Sequence, residues 1–378
     1  SEKAYLYAAI GLALGGCLYT LILCCFWRQM RIAVALIGAT ADFFAATKRV
    51  VLVSVFYFFV TLVIVLFWLA AAASVSGLNH ITASADVPQG KDIAWTPKTQ
   101  WLLVFMGFGL IWLVSFIQDK TAYISMVAAS SYYFSSNKDQ TGTGEVLMGV
   151  KYAYLYNAGS LATGSLIHTI VFILKVVVEG LADYAQKTDG KNPAVRCIAC
   201  CAKCCVGCLS DIVDYINKGA YAYMAITGDA YCKSAWDGYL LNLKHTMEFL
   251  FANTLAYVFG VLGKILIVCL NCLTCWWLLS LQQAPSGSEP GLAGPLVLVG
   301  LVTFLAASVF LGTFDDATNA TIHCLAFDME LNDGVPQFGP PSFHAKIADI
   351  FPEGKDRKAY GKVHDNEYNV PPQRNALL

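Results

Sequence analysis

Apolar residues in this chain run in long blocks separated by short polar breaks. Four blocks reach the roughly 20 residues that a helix needs to cross about 30 Å of hydrocarbon: Ala4 to Phe26, Val50 to Val75, Tyr257 to Leu281 and Leu292 to Phe314. A fifth, Trp101 to about Tyr133, opens on a Trp and closes on Tyr132 and Tyr133, and it is long enough to span with tilt although Gln118, Asp119 and Lys120 lie near its middle. Two other stretches are weaker. Gly159 to Leu181 contains His168, Lys175 and Glu179, and Leu209 to Ile226 is only amphipathic. The pattern predicts an all-α, polytopic membrane protein with about five firm transmembrane helices, the weaker stretches lying as re-entrant or interfacial helices.

Loop charge gives a direction to this path. The segment from Trp27 to Arg49 carries Arg28, Arg31, Lys48 and Arg49 against Asp42 alone, which places it as a cytoplasmic loop by the positive-inside rule. Ser76 to Gln100 is polar, mixed in charge and holds Pro88 and Pro97, as expected of an outside loop. The last two strong spans then form a pair going out at Leu281 and back in after Leu292. That path requires Gly159 to Ile226 to cross an even number of times. Zero crossings keeps Lys187, Lys191, Arg196, Lys203 and six cysteines in the cytoplasm, away from an oxidising compartment.

Those six of the 14 cysteines, Cys197, Cys200, Cys201, Cys204, Cys205 and Cys208, follow i, i+3, i+4, i+7, i+8, i+11, one face of a helix. Three readings stand: a soft apolar face against membrane or bundle, S-acylation at a membrane surface, or metal and redox chemistry. Zinc is disfavoured because thiols along one helix cannot all converge on a single ion, so no metal is expected.

Composition changes the picture by exclusion. The chain is 57% hydrophobic and 13% charged, about half the charge of a soluble domain. With 25 basic and 26 acidic residues and no basic stripe among aromatics, nucleic acid is not a partner. No hydrolytic triad, phosphate loop or metalloprotease motif stands out, so neither an enzyme nor a cofactor is expected. Residues 1–331 read as the membrane domain. The tail, Asn332 to Leu378, is polar with Gly339-Pro340-Pro341 and Pro371-Pro372, and would be disordered alone. Order there requires a surface to hold it, expected to be another protein.

Several motifs carry a resemblance. The stretch Asp214 to Ala235 closely resembles the "N-x-x-A-Y-…-A-I-…-F-C-…-S-A" segment of the choline transporter-like proteins, solute carrier family 44. Gly159 to Leu166 is similar to that family's "LG(S/T)-x-A-x-GS" segment, and the cysteine run before Asp214 is typical of it. Gly260 to Ile267 resembles its "LGK-x-LI" span, and Cys324 to Gly334 resembles its "CFA-x-D-x-x-x-NDG" exit. The resemblance implies a ten-span fold of which this chain looks like the fourth span onward, with no signal peptide before Ser1.

The resemblance also implies a substrate, choline or a related quaternary ammonium, besides the contact with lipid that spans impose. Such a cation cannot donate hydrogen bonds, so its site needs aromatic faces and a nearby carboxylate. Trp112, Phe116, Tyr132 and Tyr133 match the family's "W-x-x-EF … YYF" pattern, and Trp112 and Phe116 share a helical face. The plain alternative is ordinary core and interface-belt aromatics. The family glutamate of that pattern is Ser115 here, while Asp119 and Lys120 appear further along the same helix, either as a relocated cation site or as half of an interhelical ion pair. Asp315, Asp316 and Asn319 read as a cytoplasmic cation gate or as a solvated helix end closing the last span. His168 and Lys175 read as a proton relay or headgroup contact, or else as a satisfied His and a snorkelling Lys. Gly159, Gly164 and Gly180 suit close helix approach, as does the Gly260/Gly263 pair.

The expectation is thus a choline transporter-like protein of the plasma membrane, an organellar membrane being the alternative. Its rival is a structural subunit that keeps the fold inside a larger assembly of membrane protein subunits without transporting.

Overall fold

The computed structural model describes residues 16, 24, 27–83, 91–189, 192–281, 293–332 and 334–348. The expected first span, Ala4 to Phe26, lies outside them except for Gly16 and Cys24. The chain is helical: α1 (Trp27–Ala46), α2 (Arg49–Ser76), α3 (Pro97–Ser135), α4 (Val146–Lys151), α5 (Ala158–Asp189), α6 (Pro193–Thr227), α7 (Tyr231–Lys244), α8 (Thr246–Leu281), α9 (Ala293–Leu331) and α10 (Pro341–Ile347). A short antiparallel pair, His80–Ala83 with Lys91–Ala94, joins α2 to α3.

Six of these helices are long and apolar enough to cross a membrane: Trp27–Ala46, Arg49–Ser76, Pro97–Ser135, Ala158–Thr188, Phe249–Leu281 and Ala293–Leu331. The protein is an integral, multi-pass membrane protein. Large apolar side chains stand exposed along α2 (Phe59, Val63, Leu66, Phe67) and α8 (Leu262, Ile265, Leu266), the surface that lipid covers in place of water.

Two sequence expectations change. Trp27 to Arg49 is not a loop: its apolar residues fall on helical spacing, and Ile32, Ala33, Leu36, Ile37 and Phe43 are buried. The charge argument for orientation therefore loses its first anchor. Gly159 to Leu181 lies within the unbroken α5, which at 32 residues is long and apolar enough to span. Its His168 is satisfied locally, with Nε2 3.1 Å from Asp214 Oδ1 on α6. Leu209 to Ile226 belongs to α6 and remains amphipathic.

Helix ends follow local chemistry. Thr96 caps α3 by accepting from the Thr99 N–H at 3.4 Å, with Pro97 in the first turn. Asn192 caps α6 by accepting from Ala194 N–H at 3.0 Å, again with Pro next. Gly228, at φ 75°, stops α6 in the left-handed conformation that glycine adopts without strain.

The chain packs as two units. One comprises 48–127 and 146–239. Its α5 and α6 lie against each other, with Lys203 paired to Asp183. Between α4 and α5 the chain makes a π-helical turn, Tyr152–Tyr156, closed by Asn157, whose N–H bonds to Tyr152 O at 2.8 Å and whose side-chain amide donates to Tyr123 Oη at 2.6 Å.

The other comprises 1–47, 128–145 and 240–378, and is built on α8, α9 and α1. Phe43 meets Tyr132 at 5.6 Å, Phe44 meets Phe314 at 5.5 Å and Phe249 meets the His323 ring at 4.7 Å. Gly263 lets Leu311 approach, whereas Gly260 faces open space. Asp328, fully buried, accepts hydrogen bonds from Tyr133 Oη (3.2 Å), Asn332 Nδ2 (2.7 Å) and the Gln337 and Phe338 N–H groups (both 3.0 Å). The start of the tail is thus ordered by its own chain: Gly339 N–H bonds to Tyr133 O, and Ser342 donates to Asp42. The surface expected of another protein is supplied from within up to residue 348; residues 349–378 lie outside those described.

Candidate functional site

The unit of residues 48–127 and 146–239 holds the chemistry. On α3, Trp112, Phe116 and Asp119 follow i, i+4, i+7 and so form one stripe. Asp119 sits mid-helix in a segment long enough to span, partly buried, where an ionised carboxylate needs compensation. It receives the hydroxyl of Tyr221, 2.8 Å away on α6. Among the described residues no cation pairs with it. The adjacent Lys120 turns away, its ammonium 4.2 Å from the Phe116 ring centre and 4.0 Å from that of Tyr154.

A second layer positions Tyr221. Its hydroxyl lies against Gly164 of α5, where a Cβ would collide with it. The Gly164 carbonyl accepts from Asn217 Nδ2 at 3.4 Å, and Asn217 Oδ1 accepts the hydroxyl of Tyr231 at the start of α7. Tyr231 packs 6.0 Å from the Tyr221 ring, and its backbone N–H is held by Ser160 Oγ at 3.3 Å. Burial raises both phenols, Tyr221 well above the usual range and Tyr231 to about 12, so each is a protonated donor throughout the physiological range. Trp112 belongs to the same assembly: its indole N–H points at Ser165 Oγ (3.2 Å) and Ala162 O (3.4 Å) on α5.

The arrangement can therefore present a carboxylate with one phenol donor, flanked by aromatic rings. That is the chemistry of an organic cation site. The sequence pointed to Trp112, Phe116 and Asp119, and the structure sets all three on one stripe, although the Phe116 ring is faced by Lys120. Tyr132 and Tyr133 belong to the other unit and are both buried, one on Phe43 and one on Asp328. Asp315, Asp316 and Asn319 also fall there, and they do not close a helix: α9 continues to Leu331, because Ala317 to Ala326 are packed and give the helix no reason to end. The six cysteines lie on α6 as spaced, all exposed and free. Among the described residues no His, Cys, Asp or Glu group is arranged to hold a metal ion.

Sequence reasoning missed Tyr221, Asn217, Gly164 and Ser165 as parts of one site. They were visible only as family-like motifs in two separated segments, with nothing to show that these segments meet at Asp119.

A family model described as plasma-membrane choline transporter matches residues 10–330. Choline transporter-like protein 1 of Mus musculus is 27% identical over 335 residues, covering 88% of this chain and 50% of the relative. Choline transporter-like protein 3 of Homo sapiens is 26% identical over 304 residues, covering 79% and 46%. Choline transporter-like protein 2 of Dictyostelium discoideum is 24% identical over 341 residues, covering 90% and 53%. The chain spans about half the length of these relatives. The match runs through α1 to α9 without leaving out any element of the site, and on that extent the chain belongs to the plasma-membrane choline transporter family.

Proposed function

We propose that this chain carries choline or a related quaternary ammonium across the plasma membrane, with Asp119 as the counter-charge and Trp112, Tyr221 and Tyr231 as the aromatic surroundings. The observation that supports this reading most is the Asp119 carboxylate itself. It lies in a helix long enough to cross the membrane, it is met by the Tyr221 hydroxyl with no cation paired to it among the described residues, and the rings about it carry negative faces. The loss of the family glutamate at Ser115 fits the same reading, since Asp119 lies one turn further along the same helix.

Division of labour follows from the geometry. Tyr221 holds the carboxylate in place through its hydroxyl, and Asn217 and Ser160 hold Tyr231 beside it. Trp112 is fixed by its N–H to α5, leaving its ring face free of hydrogen-bonding duty. A quaternary ammonium, lacking donors, takes nothing from these hydrogen bonds and meets only charge and π faces.

Uptake of radiolabelled choline into proteoliposomes tests the reading. Saturable uptake that falls by about tenfold or more in Asp119→Asn is expected, on the scale of a desolvated cation contact. Uptake no greater than in protein-free vesicles, from folded protein, refutes transport; full uptake by Asp119→Asn refutes the assigned site.

A further inference from the structure

Lys120 follows Asp119 directly, yet the two do not pair. Its ammonium stands between two rings, 4.2 Å from the centre of Phe116 and 4.0 Å from that of Tyr154, and the residue is 9% exposed. Among the described residues it has no carboxylate partner. A positive charge held away from water by aromatic faces alone has the environment that a methylated ammonium seeks.

Two features show that this seat is built. Phe116 lies one turn before Lys120 on α3, so helix geometry sets it under the ammonium. Tyr154 comes from the π-helical turn, an irregularity that concentrates at functional positions. Its hydroxyl is hydrogen-bonded to that of the buried Tyr57 at 2.7 Å, which fixes the ring. The residue is 47% exposed, so the seat has an open side.

We propose that Phe116 and Tyr154 form an aromatic seat for a small methylated ammonium, and that Lys120 is its tethered occupant, which an arriving ligand displaces. This goes beyond the transport reading and does not depend on Asp119. A tethered occupant lowers the fraction of molecules with an open seat, and the apparent affinity falls by that fraction. Displacement also removes one of the contacts between α3 and the π turn, leaving the Asn157 amide on Tyr123 Oη.

The test is equilibrium binding of tetramethylammonium to the purified chain in detergent, followed by calorimetry. Lys120→Met, which keeps an unbranched side chain without charge, is expected to bind at least about tenfold more tightly than the unsubstituted chain. Lys120→Gln gives the same gain and covers the case that the Met variant does not fold. Lys120→Arg, which restores an occupant, shows no gain. Adding Tyr154→Leu to Lys120→Met abolishes the gain. Unchanged or weaker binding by folded Lys120→Met and Lys120→Gln overturns the proposal, as does a gain that survives Tyr154→Leu. Choline uptake by Asp119→Asn is read separately, so failure of the transport reading leaves this result interpretable.

Discussion

The Tyr221 hydroxyl that donates to Asp119 rests against Gly164, at a place where any Cβ on residue 164 would collide with it. The glycine of one family-like segment thus makes room for the tyrosine of another. Gly164→Ala gains about 1 kcal/mol of helix propensity and incurs about 1–3 kcal/mol of overpacking. Net destabilisation is expected, seen as a lower midpoint of thermal unfolding in detergent. Tyr221→Phe removes the colliding oxygen. Tyr231 Cε2 and Tyr221 Cζ still stand 2.8 and 2.9 Å from that Cβ, so the double variant recovers part of the cost of Gly164→Ala, and strict additivity would show that the hydroxyl carries none of it.

Trp112 separates ring from hydrogen bond. Trp112→Phe loses the N–H to Ser165 and Ala162 but keeps an aromatic face, whereas Trp112→Ala loses both. If the ring faces the cation, choline uptake by the Phe variant stays within about threefold and that by the Ala variant falls about tenfold. Equal losses in the two variants would assign Trp112 to holding α5 and not to the substrate.

Asp328 accounts for the order at the start of the tail. It accepts from Tyr133, Asn332 and the Gln337 and Phe338 amides while fully buried. Asp328→Ala leaves these donors without an acceptor and is expected to cost about 3 kcal/mol. Amide hydrogen exchange at Gln337 and Phe338 rises accordingly. Asp328→Asn keeps one acceptor oxygen and falls between the two.

The exposed thiols of α6 make a pH-dependent prediction. Cys197 raises the thiol of Cys201 above its ordinary value, and the hydrogen bond that the Cys204 thiol shares with Cys208 does the same for Cys204 by favouring its protonated form. A raised thiol holds less thiolate at neutral pH, so maleimide reacts more slowly there and faster as pH rises. Cys197→Ser is expected to quicken alkylation of Cys201 at pH 7, measured by mass spectrometry of the peptide. An unchanged rate would separate the two thiols.

How much of this was legible in the sequence depends on the residue. Long apolar blocks located α2, α3, α8 and α9 because length and lipid solubility alone decide them. α1 was missed because Arg28 and Arg31 weigh heavily in a loop argument, while the buried face of Ile32, Leu36 and Phe43 becomes visible only against its neighbours. α5 was undervalued because His168 counts as a cost until Asp214 is found beside it. The site followed the same rule. Trp112, Phe116 and Asp119 lie close together in sequence, and helical spacing joined them. Tyr221 lies 102 residues from Asp119, and no periodicity spans that distance. The exit motif was legible as a pattern, but its reason, the convergence of four donors on Asp328, needed the fold.

Equilibrium binding of radiolabelled choline to the purified chain decides whether Asp119 is the counter-charge for an organic cation. Saturable binding is expected, weakened about tenfold or more in Asp119→Asn and partly retained in Asp119→Glu. Binding by folded Asp119→Asn equal to that of the unsubstituted chain would contradict it.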